Sequence, residues 1–224
     1  MFGASDEIVF TPGEWQATFN YRGVHSDDHY NGTRFQYQRE SAGTYVVNTQ
    51  QIYDLGASYT FTRRFSVSGS IPIVNATWSI PTPPSAAVRP RREQNASGLG
   101  DISAVGRWWL LDPEKHPRGN VSAGIGFKAP TGKYDSEDEY PDILTGANNT
   151  QKAVDQSIQP GDGGWGASFD FQAYKRLKHM TFYGSGTYLA NPRDTNRTPS
   201  IIVGLGLGAN PAYASLLENS VPDQ

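Results

Sequence analysis

Apolar and polar residues alternate one by one along much of this chain. Residues Trp15 to Arg22 read WQATFNYR, with Trp15, Ala17, Phe19 and Tyr21 on one side and Gln16, Thr18, Asn20 and Arg22 on the other. Period-two alternation is the signature of a strand with one apolar and one polar face. It recurs from Gln50 to Thr62, where Tyr53, Leu55, Ala57, Tyr59 and Phe61 oppose Asp54, Gly56, Ser58 and Thr60, with Ile52 a blemish on the polar side. It recurs again from Phe65 to Asn75, with Pro72 in a place that a central ladder disfavours.

The clearest pair lies in the middle of the chain. Ile102, Ala104, Gly106, Trp108 and Leu110 oppose Asp101, Ser103, Val105, Arg107 and Trp109. After a short polar turn, Asp112 to Gly119, Val121, Ala123, Ile125, Phe127 and Ala129 oppose Ser122, Gly124, Gly126 and Lys128. Gly164 to Lys175 sets Trp165, Ala167, Phe169, Phe171 and Ala173 against Ser168, Asp170 and Gln172. Further strands are predicted over Thr181 to Leu189, Ser200 to Gly208 and Ala212 to Glu218.

The connections are sorted by length. Arg63-Arg64, Asp112 to Gly119 and Arg176 to His179 read as short turns. Gly23 to Asn48 reads as a long polar loop with a small hairpin at Phe35 to Tyr45. Ala76 to Ser97 is rich in Pro and charge and reads as irregular, and Gly132 to Gly163 reads as a third long loop. Long and short connections in alternation belong to outer-membrane barrels, with long loops outside and short turns on the periplasmic side. Aromatics near strand ends, such as Trp15, Tyr53, Phe65, Trp108 and Tyr188, fit interfacial girdles, though aromatics are also common in strands generally.

The expected fold is therefore all-β: an antiparallel up-and-down transmembrane β-barrel, with about eight to nine strands in residues 1–224 as a single domain. No apolar run approaches the roughly twenty residues of a membrane helix, which leaves a barrel open. The start MFGASDEIVF carries no signal-peptide pattern, and the end SVPDQ carries no closing aromatic strand, so the reading is of a barrel truncated at both ends. A water-soluble β-protein would instead bury the apolar faces in a core. The formal net charge of −3 and the lack of a basic aromatic platform argue against nucleic acid as a partner. The absence of Cys excludes disulfides and thiolate metal sites.

Charges on the polar faces are the candidate functional residues: Arg22, Asp54, Asp101, Arg107, Lys128 and Asp170. In a barrel all six point into the lumen. They either line a pore and set its selectivity or pair across the interior and stiffen it. The acidic run Asp135, Glu137, Asp138, Glu139 and Asp142 offers oxygen ligands of the kind Ca²⁺ takes, but reads more simply as a solvated loop. His25 and His29 with Asp27 and Asp28 make a weaker metal candidate in another polar loop. GLGD at Gly98 to Asp101 lacks the helix and further glycines of a phosphate loop. There is no G-x-S-x-G elbow, and His116 and His179 fall at short turns, so neither an enzyme nor a cofactor is expected.

Three stretches resemble a known family. SGLGDISAVGRWWLL (Ser97 to Leu111), GFKAPTGKYD (Gly126 to Asp135) and QPGDGGWGASFDFQAYKR (Gln159 to Arg176) are similar to the outer-membrane barrels named for the "MetA-pathway of phenol degradation". The resemblance implies a transporter-like barrel of the bacterial outer membrane, set among lipid and lipopolysaccharide, that passes or binds a small apolar or aromatic molecule. Two further functions stay open: a structural or adhesive surface barrel with a plugged lumen, and a soluble lipocalin-like binding protein.

Overall fold

The computed structural model describes residues 11–81, 91–140, 150–200, 203 and 208–221. In chain order the elements are β1 (Trp15–Ser26), β2 (Tyr30–Asn31), β3 (Arg34–Phe35), a short helix α1 (Tyr37–Ser41), β4 (Val47–Thr60), β5 (Phe65–Ile80), β6 (Arg92–Leu99) and β7 (Ile102–Trp109). They continue with β8 (Gly119–Ala129), β9 (Glu137–Tyr140), β10 (Thr150–Ala153), β11 (Gly166–Arg176), β12 (Thr181–Ala190), β13 (Thr195–Pro199) and β14 (Glu218–Ser220). One eight-stranded antiparallel sheet dominates, ordered β1-β4-β5-β7-β8-β11-β12, with β6 paired to the far half of β5. The sheet curls into a half-barrel. Among the described residues β1 and β12 end that order, and β6 pairs only with β5.

Short turns hold one end of the sheet. Between β4 and β5, Thr62 Oγ1 accepts from the backbone N–H of Phe65 at 3.0 Å and of Arg64 at 3.3 Å. The Arg64 side chain then donates to the carbonyls of Trp109 and Leu110, which ties this turn to the next. Arg63 pairs with Glu114 across the same two turns at 2.7 Å. The long connections all fall at the opposite end, as up-and-down order requires.

The alternation of the sequence is an alternation of faces, and the sheet is inside out. On β8 the outward Ile125 is 71% exposed and Phe127 52%, whereas the inward Ser122 is fully covered and Lys128 is 8% exposed. Outward Phe19, Leu55, Phe169 and Tyr188 are likewise exposed. A water-soluble sheet shows the reverse order.

Several connections differ from expectation. Ala76 to Ser97 is not an irregular loop: β5 runs on to Ile80 and β6 returns beside it in register, Ile80 opposite Arg92 and Ile73 opposite Leu99. Three of the four prolines lie in residues 82–90, outside the described residues, while the charged Arg92 and Glu93 are the first residues of β6. Pro72 is tolerated because its ring nitrogen faces the break between β6 and β7. Its carbonyl accepts there from Gly100 at 2.8 Å, and a strand residue points its N and its O to the same side.

Gly23 to Asn48 contains the end of β1, a hairpin at Tyr30 to Phe35 and then α1, so the expected hairpin at Phe35 to Tyr45 is displaced. Gly132 to Gly163 contains β9, β10 and a 3-10 turn, Gln156–Ile158. The expected strand Ala212 to Glu218 is mostly a 3-10 turn, Pro211–Leu216, started by Pro211 and by Asn210, whose side chain accepts from the Ala212 N–H. Most of the strand expected over Ser200 to Gly208 lies outside the described residues.

One small apolar core sits at the long-connection end. Val74, Ala76, Trp78 and Ile80 of β5 meet Ala96 of β6 and, from beyond β10, Val154 and Ile158. Ile52 packs against it, which accounts for an apolar residue on the polar face of β4.

Candidate functional site

The candidate charges meet on the inner face of the sheet, in three groups. In the first, Arg107 on β7 and Asp170 on β11 lie in one register row with Gly124 of β8 between them. Gly124 has no side chain, so the guanidinium reaches across it: Nη2 lies 2.7 Å and Nε 2.8 Å from Asp170 Oδ1. Asp170 Oδ2 accepts from the Thr187 hydroxyl at 3.2 Å. Gln172, with its amide oxygen turned to the guanidinium, accepts from Arg107 Nη2 at 3.0 Å. In the next row Gly126 is forced, because a Cβ there would stand 2.4 Å from the Ala104 carbonyl oxygen.

The second group is a clasp at the rim. Lys128 Nζ pairs with Asp162 and lies 3.4 Å from Asp101 Oδ2. Asp101 Oδ1 accepts from the Gly132 N–H at 2.9 Å, and Oδ2 accepts from the Asp162 N–H at 3.1 Å. Thr131 Oγ1 accepts from the Ile102 N–H and donates to the Gly100 carbonyl. Three backbones cross here at Gly100, Gly132 and Gly161. A Cβ on Gly132 would stand 2.8 Å from Gly161 Cα and from the Gly100 carbonyl carbon. Asp101 lies in the connection ahead of β7, and burial pushes its carboxyl up from the usual 3.8, opposed by the two backbone N–H groups and by Lys128.

The third group is Arg22 with Asp54, Nε to Oδ2 at 3.2 Å, with the arginine side chain 62% exposed. All six predicted charges are thus paired in the structure. Arg107–Asp170 and the rim clasp are sheltered, and Arg22 faces water.

Sequence reasoning missed Asp162, Thr131 and Gln172. The signal for Asp162 was present: the three stretches carrying GLGD, PTG and QPGDG converge on the clasp. Its glycines mark backbone crossings, and its charges close the gap between them.

The weaker metal candidates do not assemble. Asp138 accepts from the N–H groups of Asn95 and Glu139, and Asp135 is exposed. The Asp142 of that run lies outside the described residues. His29 accepts at Nε2 from the Val46 N–H, a structural role, and His25 stands 3.8 Å from Asp27. Among the described residues no three such side chains converge to hold a metal ion, and no helix is long and apolar enough to cross a membrane. No family model matches the chain, and no curated protein matches it.

Proposed function

We propose that this chain is an outer-membrane β-barrel protein of bacteria, a channel or transporter for small molecules rather than an enzyme. The observation that carries the reading is the inside-out sheet. Rows such as Ile125–Phe169–Tyr188 face outward and uncovered, while Lys128, Ser122 and Asp170 are sheltered inside. Leaving so many large apolar side chains in water costs about 25 cal/mol per Å², and lipid removes that cost. Its partners are then outer-membrane lipid and lipopolysaccharide. A small apolar or aromatic substrate rests on the resemblance of the three rim stretches alone.

The plugged, structural barrel is the second reading. A specific observation favours it: Val154 and Ile158 are fully buried against the inner side of β5, so the segment ahead of β11 lies over the interior.

The test begins with the full-length gene product in outer-membrane fractions. A migration shift between unheated and boiled samples is expected for a detergent-resistant barrel, and conductance in planar bilayers then separates channel from plug. Protein found in the soluble fraction with no heat shift defeats both readings.

A further inference from the structure

The outward face changes character between two adjacent rows. Tyr21, Tyr53, Ile73 and Leu99 stand side by side across β1, β4, β5 and β6, and all are apolar or aromatic. One outward step further from the short turns, the row is Gly23, Gln51, Asn75 and Ser97, and the row after it is His25, Thr49, Thr77 and Asn95. Thr77 and Asn95 hydrogen-bond to each other at 2.8 Å on that outer surface.

The inner face changes in the opposite sense at the same height. Along β5 the inward residues are Ser66, Ser68 and Ser70 on one side of Pro72 and Val74, Ala76, Trp78 and Ile80 on the other. Below Pro72 the strand is apolar outside and polar inside. Above it the strand is polar outside and apolar inside, as in any water-soluble protein. The break between β6 and β7, and Asp101 with it, lies at this level, opposite Pro72.

A second boundary lies toward the short turns. Ring follows ring through Trp15–Tyr59 at 4.8 Å, Tyr59–Phe61 at 4.7 Å, Phe61–Phe65 at 5.6 Å and Phe65–Trp108 at 5.6 Å. Arg64 lies over the Trp108 ring at 5.5 Å, a cation at the edge of the belt. Phe65 to Ile73 is about nine residues, the short end of what a tilted strand needs to cross hydrocarbon.

From these rows we infer that the hydrocarbon of a bilayer covers this sheet only between the ring chain Trp15–Tyr59–Phe65–Trp108 and the row Tyr21–Tyr53–Ile73–Leu99. The far half of β5 with β6 is a water-exposed hairpin whose own core is the Val74–Trp78–Ile158 cluster. The inference rests on the membrane reading above and adds where the membrane stops. The polarity of both faces reverses at Pro72 because the solvent outside reverses there from lipid to water.

The chain has no cysteine, so single-cysteine variants report without a background thiol. Gln51→Cys, Leu55→Cys, Ile71→Cys and Asn75→Cys all point outward and straddle the inferred boundary. In outer-membrane vesicles a charged, membrane-impermeant maleimide should label Gln51→Cys and Asn75→Cys. It should fail at Leu55→Cys and Ile71→Cys until the membrane is dissolved and the protein denatured. A bimane fluorophore at Ile71→Cys should lose emission to spin-labelled acyl chains, and one at Asn75→Cys should not. Protection of Asn75→Cys together with acyl-chain quenching there overturns the boundary and leaves the membrane reading standing. Labelling at all four positions, or protection at Ile71→Cys without quenching by the lipid label, overturns the membrane reading itself.

Discussion

Arg107 reaches over the bare backbone of Gly124 to hold Asp170 two strands away, Nη2 to Oδ1 at 2.7 Å. Both side chains are less than a fifth exposed, so neither charge is well hydrated if its partner is removed. Arg107→Ala should therefore destabilise the protein, at the lower end of about 3–5 kcal/mol because some water still reaches the pair. Adding Asp170→Ala to Arg107→Ala should cost less than the sum of the two single changes. Guanidinium unfolding in detergent, analysed as a double-mutant cycle, checks this; strict additivity would show that the pair is not coupled.

Two glycines of the same sheet should respond in opposite ways. Gly126→Ala drives a methyl to 2.4 Å from the Ala104 carbonyl and 2.5 Å from Ser168 Oγ, so β7, β8 and β11 must move apart. A loss of about 1–3 kcal/mol follows from overpacking of this kind. Gly184→Ala on β12 meets nothing within 4 Å and should be neutral or stabilising by up to about 1 kcal/mol, through a less flexible unfolded chain. Unfolding midpoints of the two variants measured side by side decide the matter.

The main sheet was legible where the alternation kept one sense. β1, β4, β7, β8, β11 and β12 fall within a few residues of their expected places because each turns apolar residues to one side along its length. The far half of β5 was illegible for a physical reason. Val74, Ala76, Trp78 and Ile80 keep the alternation with inverted sense, but the proline-rich, charged stretch between β5 and β6 made all of Ala76 to Ser97 read as irregular. Ile52 was the visible symptom, a single apolar residue on the polar face that packs against the inward core.

The six site charges were legible as one face, but their pairing was not. Lys128 finds Asp162 in a segment that reaches the clasp only through the long connection after β8. Strand periodicity carries no information about such a contact. Gly132 to Gly163 read as one long loop, and nothing in its composition set Asp162 apart from the acidic run that precedes it.

Asp101 gives a pH dependence of known sign. Burial raises its pKa in the folded protein above the usual 3.8, so the folded state holds this proton more tightly than the unfolded state does. The contribution of this group is thus fully present below the unfolded value and is lost as pH rises through the raised folded value. Asp101→Asn removes that slope. It should also lower stability at every pH by about 1–3 kcal/mol, because one amide cannot accept from both the Gly132 and the Asp162 N–H groups and from Lys128 as well. Unfolding midpoints from below pH 3.8 up to neutral pH, compared between the two proteins, test both parts. A parallel pair of curves would show that Asp101 is not the group that titrates.

Ile158 is fully buried in the cluster that holds Val74 and Trp78, at the long-connection end of the sheet. Ile158→Ala should cost about 2–5 kcal/mol locally, freeing the segment between β10 and β11 without unfolding the sheet. Proteolysis should then cut near Gln156 while the heat-modifiable band persists. If that segment closes the interior, single-channel conductance should rise in Ile158→Ala relative to the parent. If the parent already conducts and the variant conducts equally, the segment lies beside the path and the charges Arg107, Lys128 and Asp170 are left to control what passes.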